Sequence, residues 1–143
     1  MTNLTEHFTL EELTITSHRE FDNTPDQDQI NNLVRVAGLL EQVKELLGGK
    51  PIMVNSGYRS PQVNAAVGSK PTSQHCLGCA ADIRVPGMTP DQVVQAIMAS
   101  DIPYDQLIRE FDSWTHISVP NTITETPRKQ ALIIDKQGTR VYA

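Results

Sequence analysis

The chain has 143 residues, and 17 acidic against 12 basic side chains give a formal net charge of -5. This length predicts a single domain, residues 1–143, that buries about two-thirds of its unfolded surface. The acidic balance, without any block of Lys and Arg, excludes a nucleic-acid binder that depends on a basic surface. Since no pattern calls for an obligate dimer, we expect a monomer.

The predicted helices follow recognisable capping residues. Thr9 and Glu12 form a capping box, and Thr24-Pro25-Asp26-Gln27 repeats that pattern with proline at the first helical position. Apolar residues then recur at helical spacing before Gly48-Gly49: Ile30, Leu33, Ala37, Leu40, Val43 and Leu47. Two shorter helices are predicted after Ser60-Pro61 and after Thr89-Pro90.

Strands alternate with these helices and dominate the end of the chain. Residues 51–55 and 79–85 predict strands, and the alternation in the second places Asp82 on the face opposite Ala81 and Ile83, which face the core. Residues 104–111 pair with 114–119 in a hairpin, and 131–134 pair with 139–142 in another. The predicted class is α+β, with helices packed on a small, mainly antiparallel sheet.

No apolar run approaches the roughly 20 residues that span a bilayer, so membrane insertion is not expected. Residues 1–7 lack the basic and apolar regions of a signal peptide. We therefore expect synthesis in the cytoplasm, and action outside the cell needs another exit route.

Three side chains form a candidate metal site. His75 and Asp82 lie seven residues apart around Gly78, and His116 follows in a predicted strand. Two imidazoles and one carboxylate are a ligand set that Zn²⁺ takes in catalytic sites, where a fourth position is left to water. The sequence therefore predicts a zinc hydrolase.

The candidate general base is Glu110, and its place depends on the hairpin turn. A three-residue turn, 112–114, puts Glu110 directly across from His116, whereas a two-residue turn, 112–113, puts Arg109 there. The hydrolytic interpretation requires the first register. Asp112 is the alternative base, although it must fold back from the turn to reach the site.

Other residues have weaker candidate roles. Arg59 follows a buried strand and a glycine turn, from which a guanidinium can hold a substrate carboxylate or carbonyl, against a structural alternative. Ser73 braces the loop before His75, and Trp114 is either a substrate platform or a packing residue. Cys76 and Cys79 are interpreted as a loop residue and a small buried residue, close enough to the site to be adventitious ligands. His18 receives only a structural interpretation.

Four motifs together resemble the zinc D-Ala-D-Ala carboxypeptidase and L-Ala-D-Glu endopeptidase family, which includes many phage endolysins and shares its fold with the hedgehog signalling domain. The motifs lie at residues 8–13 (FTLEEL), 56–60 (SGYRS), 73–82 (SxHxxGxAxD) and 114–118 (WTHIS). The resemblance implies a hedgehog/DD-peptidase-like fold.

The resemblance also implies roles for the site residues. His75, Asp82 and His116 match the metal ligands, and Arg59 matches a substrate- or transition-state-stabilising arginine. Some members carry the base three positions before the last histidine, where this chain has Ser113. Others carry a glutamate six positions before it, where Glu110 stands.

The expected function is zinc-dependent hydrolysis of peptidoglycan stem peptides or cross-links. The enzyme would reach the cell wall by the phage lysis route or as part of a phage particle. The alternative is a non-catalytic, zinc-containing module that binds the cell wall or belongs to a phage structure.

Overall fold

The computed structural model describes residues 2–142. Within that range, helices form at α1 (Leu10–Leu13), α2 (Gln27–Leu46), α3 (Pro61–Ala66) and α4 (Pro90–Met98), with a 3₁₀ turn at Gln74–Leu77. The strands are β1 (Met53–Ser56), β2 (Ala80–Arg84), β3 (Gln106–Glu110), β4 (Trp114–Ser118), β5 (Gln130–Asp135) and β6 (Gly138–Val141). The mixed α+β class predicted from the sequence is confirmed. No helix within residues 2–142 is both long and apolar enough to span a membrane.

The strands form one sheet in the order β1-β2-β4-β3-β5-β6. Neighbouring strands are antiparallel except β3 and β5, which are parallel. The predicted C-terminal hairpin is present as β5 and β6. It also joins the main sheet, since β5 pairs with β3, with Gln130 aligned with Gln106 and Ile134 with Glu110. The sheet is therefore mainly antiparallel, with one parallel pair that the sequence analysis did not anticipate.

Helices α2 and α4 cover one face of this sheet and form the core with it. Alternation in β2 directs Ala81 and Ile83 into that core, where both are fully buried, while Asp82 lies on the opposite face. The apolar side of α2 contributes buried residues at helical spacing: Leu33, Val36, Ala37, Leu40 and Val43. The core thus holds β2 in place, and the other face of the strand is available for a site.

Local capping chemistry sets where the helices begin. The capping box predicted at Thr9 of α1 is present, and the helix predicted after Thr89-Pro90 also begins with a capping box, at Thr89 of α4. The prediction for α2 is wrong by two residues, because its N-cap is Asp26 and not Thr24. The Asp26 carboxylate accepts from the backbone N–H of Gln29 at 2.8 Å. Thr24 is occupied elsewhere, since its hydroxyl donates to Asp22 at 2.6 Å.

Asp105 ties the long connection between β4 and β5 to the sheet. Its buried carboxylate accepts from the backbone N–H and the guanidinium of Arg128, with a shortest distance of 2.6 Å, and from the Gln74 side chain at 3.1 Å. Burial alone would raise the pKa of Asp105, but the hydrogen bonds from Arg128 outweigh it and the pKa is lowered. The ionised form is therefore the one that stabilises the fold.

Acidification and Asp105→Asn are both expected to weaken this attachment. A lowered folded-state pKa contributes stability that is present above the unfolded value of about 3.9 and is lost as the pH falls through the folded value. We expect Asp105→Asn to reduce the free energy of unfolding by about 1–3 kcal/mol at pH 7 and by less near pH 3. Urea unfolding between pH 3 and 7 measures this, with the exposed Asp101→Asn as the matched control. An equal loss at both pH values would contradict the assignment.

Candidate metal centre

Three elements bring the predicted metal ligands together. Strand β2 supplies Asp82, β4 supplies His116 directly opposite it, and the 3₁₀ turn supplies His75. The side chains are buried, and one ligand atom from each lies within 4.8 Å of the other two. Side chains separated by up to 41 positions in the sequence therefore form one compact group on the non-core face of the sheet.

The backbone fixes the orientation of the His75 ring. Its Nδ1 lies 2.6 Å from the carbonyl oxygen of Gly57. Because a carbonyl oxygen only accepts, Nδ1 carries the hydrogen and donates it. Burial lowers the pKa of His75, which favours the neutral ring. Nε2 is then left with a lone pair that points towards Asp82, the arrangement expected of a metal-binding histidine.

The ligand atoms of His75, His116 and Asp82 face one another at distances that suit a shared cation. His75 Nε2 lies 3.3 Å from Asp82 Oδ1, and His116 Nδ1 lies 3.0 Å from the same oxygen. Burial alone would raise the pKa of Asp82, but His75 and His116 outweigh it and hold the pKa well below its usual range. This effect requires positive charge beside the carboxylate. Where the His75 ring is neutral, its lone pair faces the ionised oxygen, and a cation between them would supply that charge. Two nitrogens and one carboxylate oxygen fit Zn²⁺.

Gly78 ends the 3₁₀ turn and allows the chain to enter β2. Its φ is +76°, in the left-handed region, and its N–H donates back to the turn. A Cβ at this position would lie 2.5 Å from the carbonyl oxygen of Gln29 in α2. The bend that the sequence predicts between His75 and Asp82 is therefore present, and it depends on a residue without a side chain.

Gly78→Ala is expected to lower the free energy of unfolding by about 2–4 kcal/mol, since backbone strain adds to a clash with α2. Gly87→Ala is the matched control, because Gly87 has φ +86° and no atom near its would-be Cβ. That variant carries the strain without the clash and is expected to lose about 1 kcal/mol. Urea unfolding compares the two, and equal losses would show that the approach to Gln29 is not limiting.

The structure corrects the predicted hairpin register. The turn comprises residues 111–113, so Glu110 aligns with Trp114 and Ile108 aligns with His116. Because the shift from the predicted pairing is two residues, Glu110 and His116 still lie on the same face, now as diagonal neighbours. Glu110 Oε1 is 4.0 Å from His116 Nδ1. The carboxylate therefore reaches the metal group by a different pairing from the one the sequence suggested.

Glu110 has the surroundings of a strengthened base. Its side chain is 18% exposed. Burial raises the pKa of Glu110, and the negative charge of Asp82 raises it further against smaller opposing effects of His116, Trp114 and Arg59. The indole Nε1 of Trp114 is buried and makes no hydrogen bond of good geometry within residues 2–142. Its N–H is nevertheless near enough to the Glu110 carboxylate to favour the ionised form and oppose the rise in the pKa of Glu110. The carboxylate is thus near the metal group without a direct hydrogen bond to it.

The remaining predicted site residues lie around the same cleft, whose volume is about 850 Å³. Arg59 donates from Nη2 to Asp82 Oδ2 at 3.1 Å and from Nε to Ser56 at 3.1 Å, so its guanidinium braces the buried carboxylate. The Ser73 hydroxyl accepts from the backbone N–H of His75 at 3.2 Å. Both Arg59 and Ser73 line the cleft, as does Trp114.

The alternative candidates are placed away from the metal group. The Asp112 side chain is 72% exposed and pairs with Arg109 Nε at 3.1 Å. Cys79 is fully buried and Cys76 is partly exposed. Within residues 2–142, neither thiol belongs to a cluster of converging metal ligands.

Several cleft residues were missed by the sequence analysis. Ile134 from the C-terminal hairpin, Phe111 from the turn, and Lys70 from the loop after α3 line the cleft, and so does His18, which had only a structural interpretation. No sequence motif marks them. Ile134 reaches the cleft through the pairing of β5 with β3, and Phe111 through a turn residue of positive φ. The one available signal was Phe111, an apolar residue that directly follows the candidate base Glu110.

Comparisons with known proteins agree with this geometry. The profile of the Peptidase M15 family matches residues 6–118. A 44-residue segment is 43% identical to the zinc D-Ala-D-Ala carboxypeptidase of Streptomyces albus G, and covers 31% of this chain and 17% of that protein. The chain therefore spans much less than two-thirds of that relative. The family profile, however, covers most of the chain, including His75, Asp82, Glu110 and His116, and the chain belongs to the Peptidase M15 family.

Proposed function

We propose that this protein is a zinc peptidase that hydrolyses peptide bonds of peptidoglycan stem peptides or cross-links. The observation that carries the proposal is the convergence of His75, Asp82 and His116 within 4.8 Å, with the Glu110 carboxylate 4.0 Å from His116. Membership of the family supports peptide hydrolysis. The similarity to a zinc D-Ala-D-Ala carboxypeptidase supports the metal and the cell-wall substrate.

Zn²⁺ would be held by His75 Nε2, the Asp82 carboxylate and His116 Nδ1. When bound, Zn²⁺ supplies Lewis acidity, which lowers the pKa of a water molecule and polarises a carbonyl group. The protein contributes the orientation of the ligands. The Gly57 carbonyl fixes the His75 tautomer, and the Arg59 guanidinium holds the second oxygen of Asp82.

Glu110 moves the proton in this mechanism. Its carboxylate accepts a proton from the attacking water and then delivers it to the nitrogen of the leaving amine. The raised pKa suits both steps, because a more basic carboxylate takes the proton more readily and its acid form remains strong enough to protonate an amine. Asp112 is disfavoured for this role by its pairing with Arg109 on the solvent side.

Arg59 acts mainly through Asp82 and secondarily on the substrate. Its side chain is 13% exposed and lines the cleft, so the exposed part of the guanidinium can donate to a substrate carbonyl or carboxylate in the cleft. Ser73 keeps the His75 loop in place, and Trp114 borders the base. We assign Arg59, Ser73 and Trp114 to substrate binding and Glu110 to catalysis.

The proposal extends to the context of the reaction. We infer a single domain over residues 1–143, a monomer, and the fold shared by D-Ala-D-Ala peptidases and the hedgehog domain. The bond is of the D-Ala-D-Ala carboxypeptidase or the L-Ala-D-Glu endopeptidase type. The setting is a phage endolysin or a phage particle, from which the enzyme reaches the cell wall.

Mass spectrometry of digested sacculi tests activity and bond choice together. Purified sacculi are incubated with the zinc-loaded protein, with the chelated protein, and with protein to which zinc has been restored. We expect loss of terminal D-Ala or separation of L-Ala from D-Glu, abolished by the chelator and regained with zinc. Unchanged muropeptides in every sample would contradict the proposal.

A second candidate function is a zinc-containing module that binds the cell wall, or a phage structure, without hydrolysis. The observation that favours it is Ser113, which stands three positions before His116, where some family members carry the general base. A serine cannot serve as that base, and its hydroxyl donates to the carbonyl of Phe111. A metal-loaded protein that sediments with sacculi but releases no new amino groups would favour this candidate. Association with purified phage particles would indicate the structural role.

A further inference from the structure

We propose that Phe111, Trp114 and Ile134 form an apolar wall of the cleft that binds an aliphatic side-chain group of the substrate beside the scissile bond. This inference rests on the proposed function and adds a binding site to it. The apolar wall includes a residue of the C-terminal hairpin, which lies beyond the residues that the family profile matches.

The strand register places the apolar wall around the base. Glu110 of β3 aligns with Trp114 of β4 on one side and with Ile134 of β5 on the other. Aligned residues of neighbouring strands direct their side chains to the same face of a sheet. The carboxylate is therefore flanked by an indole and an isoleucine, and Phe111 follows it directly in the chain.

The backbone at Phe111 is held in an unfavourable conformation. Phe111 and the next residue, Asp112, have φ values of +53° and +50°, in the left-handed region that non-glycine residues seldom adopt. Three hydrogen bonds maintain the turn. Phe111 N–H donates to the Ile134 carbonyl at 2.8 Å, Ser113 N–H donates to the Glu110 carbonyl at 3.0 Å, and the Ser113 hydroxyl donates to the Phe111 carbonyl at 3.1 Å.

This strain is not offset by burial of the Phe111 ring in the core. The residue is 50% exposed, and its ring lies 6.1 Å from the Trp114 ring with 42° between the planes. A glycine would satisfy the turn at lower cost. Strained backbone of this kind concentrates at functional sites, where the surrounding structure maintains it. An exposed ring that is held beside a general base therefore points to a ligand.

The position of the apolar wall determines the part of the substrate that it contacts. The metal group and Arg59 belong to the polar part of the cleft. Glu110 lies between the metal group and the apolar wall, since it is 4.0 Å from His116 and aligned with Trp114 and Ile134. A peptide whose scissile carbonyl lies at the metal group places a neighbouring side chain against the wall. Since none of the three wall residues carries a charge, the complementary groups are methyl and methylene groups.

Phe111→Gly separates this binding role from a structural one. The variant removes the ring and relieves the strain at φ +53°, so the melting temperature is expected to stay the same or rise. The KM for a soluble stem peptide is expected to rise about tenfold, with kcat and zinc content retained. Phe111→Tyr keeps the ring and is expected to restore the KM.

Lys129→Gly is the matched control. Lys129 has φ +50°, is exposed and lies outside the cleft, so glycine relieves similar strain there without touching the substrate. Its KM is expected to equal that of the wild type. Ile134→Ala tests the C-terminal hairpin separately and is expected to raise the KM in the same direction as Phe111→Gly.

Calorimetric binding of the peptide to zinc-loaded Glu110→Gln, with and without Phe111→Gly, makes the inference independent of turnover. About tenfold weaker binding supports the apolar wall even if sacculi are not hydrolysed, in which case the proposed function alone fails. Equal binding and equal KM in both backgrounds would overturn the inference. A defect seen only with a disaccharide-linked peptide would also overturn it, since the wall would then bind the sugar.

Discussion

Replacement of Glu110 by glutamine is expected to reduce kcat on peptidoglycan peptides by about 10²- to 10⁴-fold, the usual contribution of a general acid–base group. Glutamine keeps the size and shape of the side chain but replaces one acceptor oxygen with an NH₂ donor and cannot accept the proton from water. Zinc content should match that of the wild type, because Glu110 lies outside the ligand group. Release of new amino groups, with metal analysis of the same sample, measures both quantities.

Asp112→Asn is the matched control for this prediction. Asp112 lies two residues away and carries the same type of charge, but its side chain faces solvent and Arg109. The variant is expected to retain most of the activity. Loss of turnover in Asp112→Asn together with retained turnover in Glu110→Gln would reassign the base.

Replacement of Asp82 by asparagine is expected to abolish stoichiometric zinc binding and to destabilise the metal-free protein. The carboxylate lies between two imidazoles and Arg59, and it is 4% exposed. Asparagine preserves the shape but leaves the Arg59 guanidinium, itself 13% exposed, without its counter-charge. Removal of one partner of a buried ion pair costs about 3–5 kcal/mol.

Zinc competition with a chromophoric chelator and urea unfolding of the metal-free protein measure these two effects. Asp135→Asn is the control, because its pair with Arg140 lies outside the cleft. That variant is expected to bind zinc like the wild type. Wild-type zinc affinity in Asp82→Asn would remove this residue from the ligand set.

The features that the sequence predicts well are those that short-range chemistry determines. The capping box at Thr9 and Glu12 needs only residues three apart, and the burial of Ile83 opposite Asp82 follows from alternation within one strand. The convergence of His75, Asp82 and His116 could be predicted because Zn²⁺ accepts few side-chain types. The pairing of β2 with β4 brings Asp82 and His116 together, and the 3₁₀ turn adds His75.

The features that the sequence could not predict depend on competition between local alternatives. Turns at 112–114 and at 111–113 both keep Glu110 on the face of His116, so alternation could not separate them. Glycine and asparagine signal left-handed turn residues, whereas Phe111 gives no such signal. One of the hydrogen bonds that maintain the turn runs from the Phe111 N–H to the Ile134 carbonyl of β5, which is distant in sequence.

The start of α2 illustrates the same competition on a smaller scale. Thr24-Pro25 and Asp26 with Gln29 are both acceptable helix starts. Asp26 is the N-cap because it forms a reciprocal pair with Gln29, while Thr24 donates to Asp22. A choice between two good caps changes the helix boundary without changing the helix.

Anomalous diffraction at the zinc absorption edge would locate the metal on the molecule. Crystals grown with one equivalent of zinc are predicted to show a single anomalous peak enclosed by His75 Nε2, the Asp82 carboxylate and His116 Nδ1, with Glu110 beside it. A peak at Cys76, or at any other place on the molecule, with none among these three side chains would contradict the account.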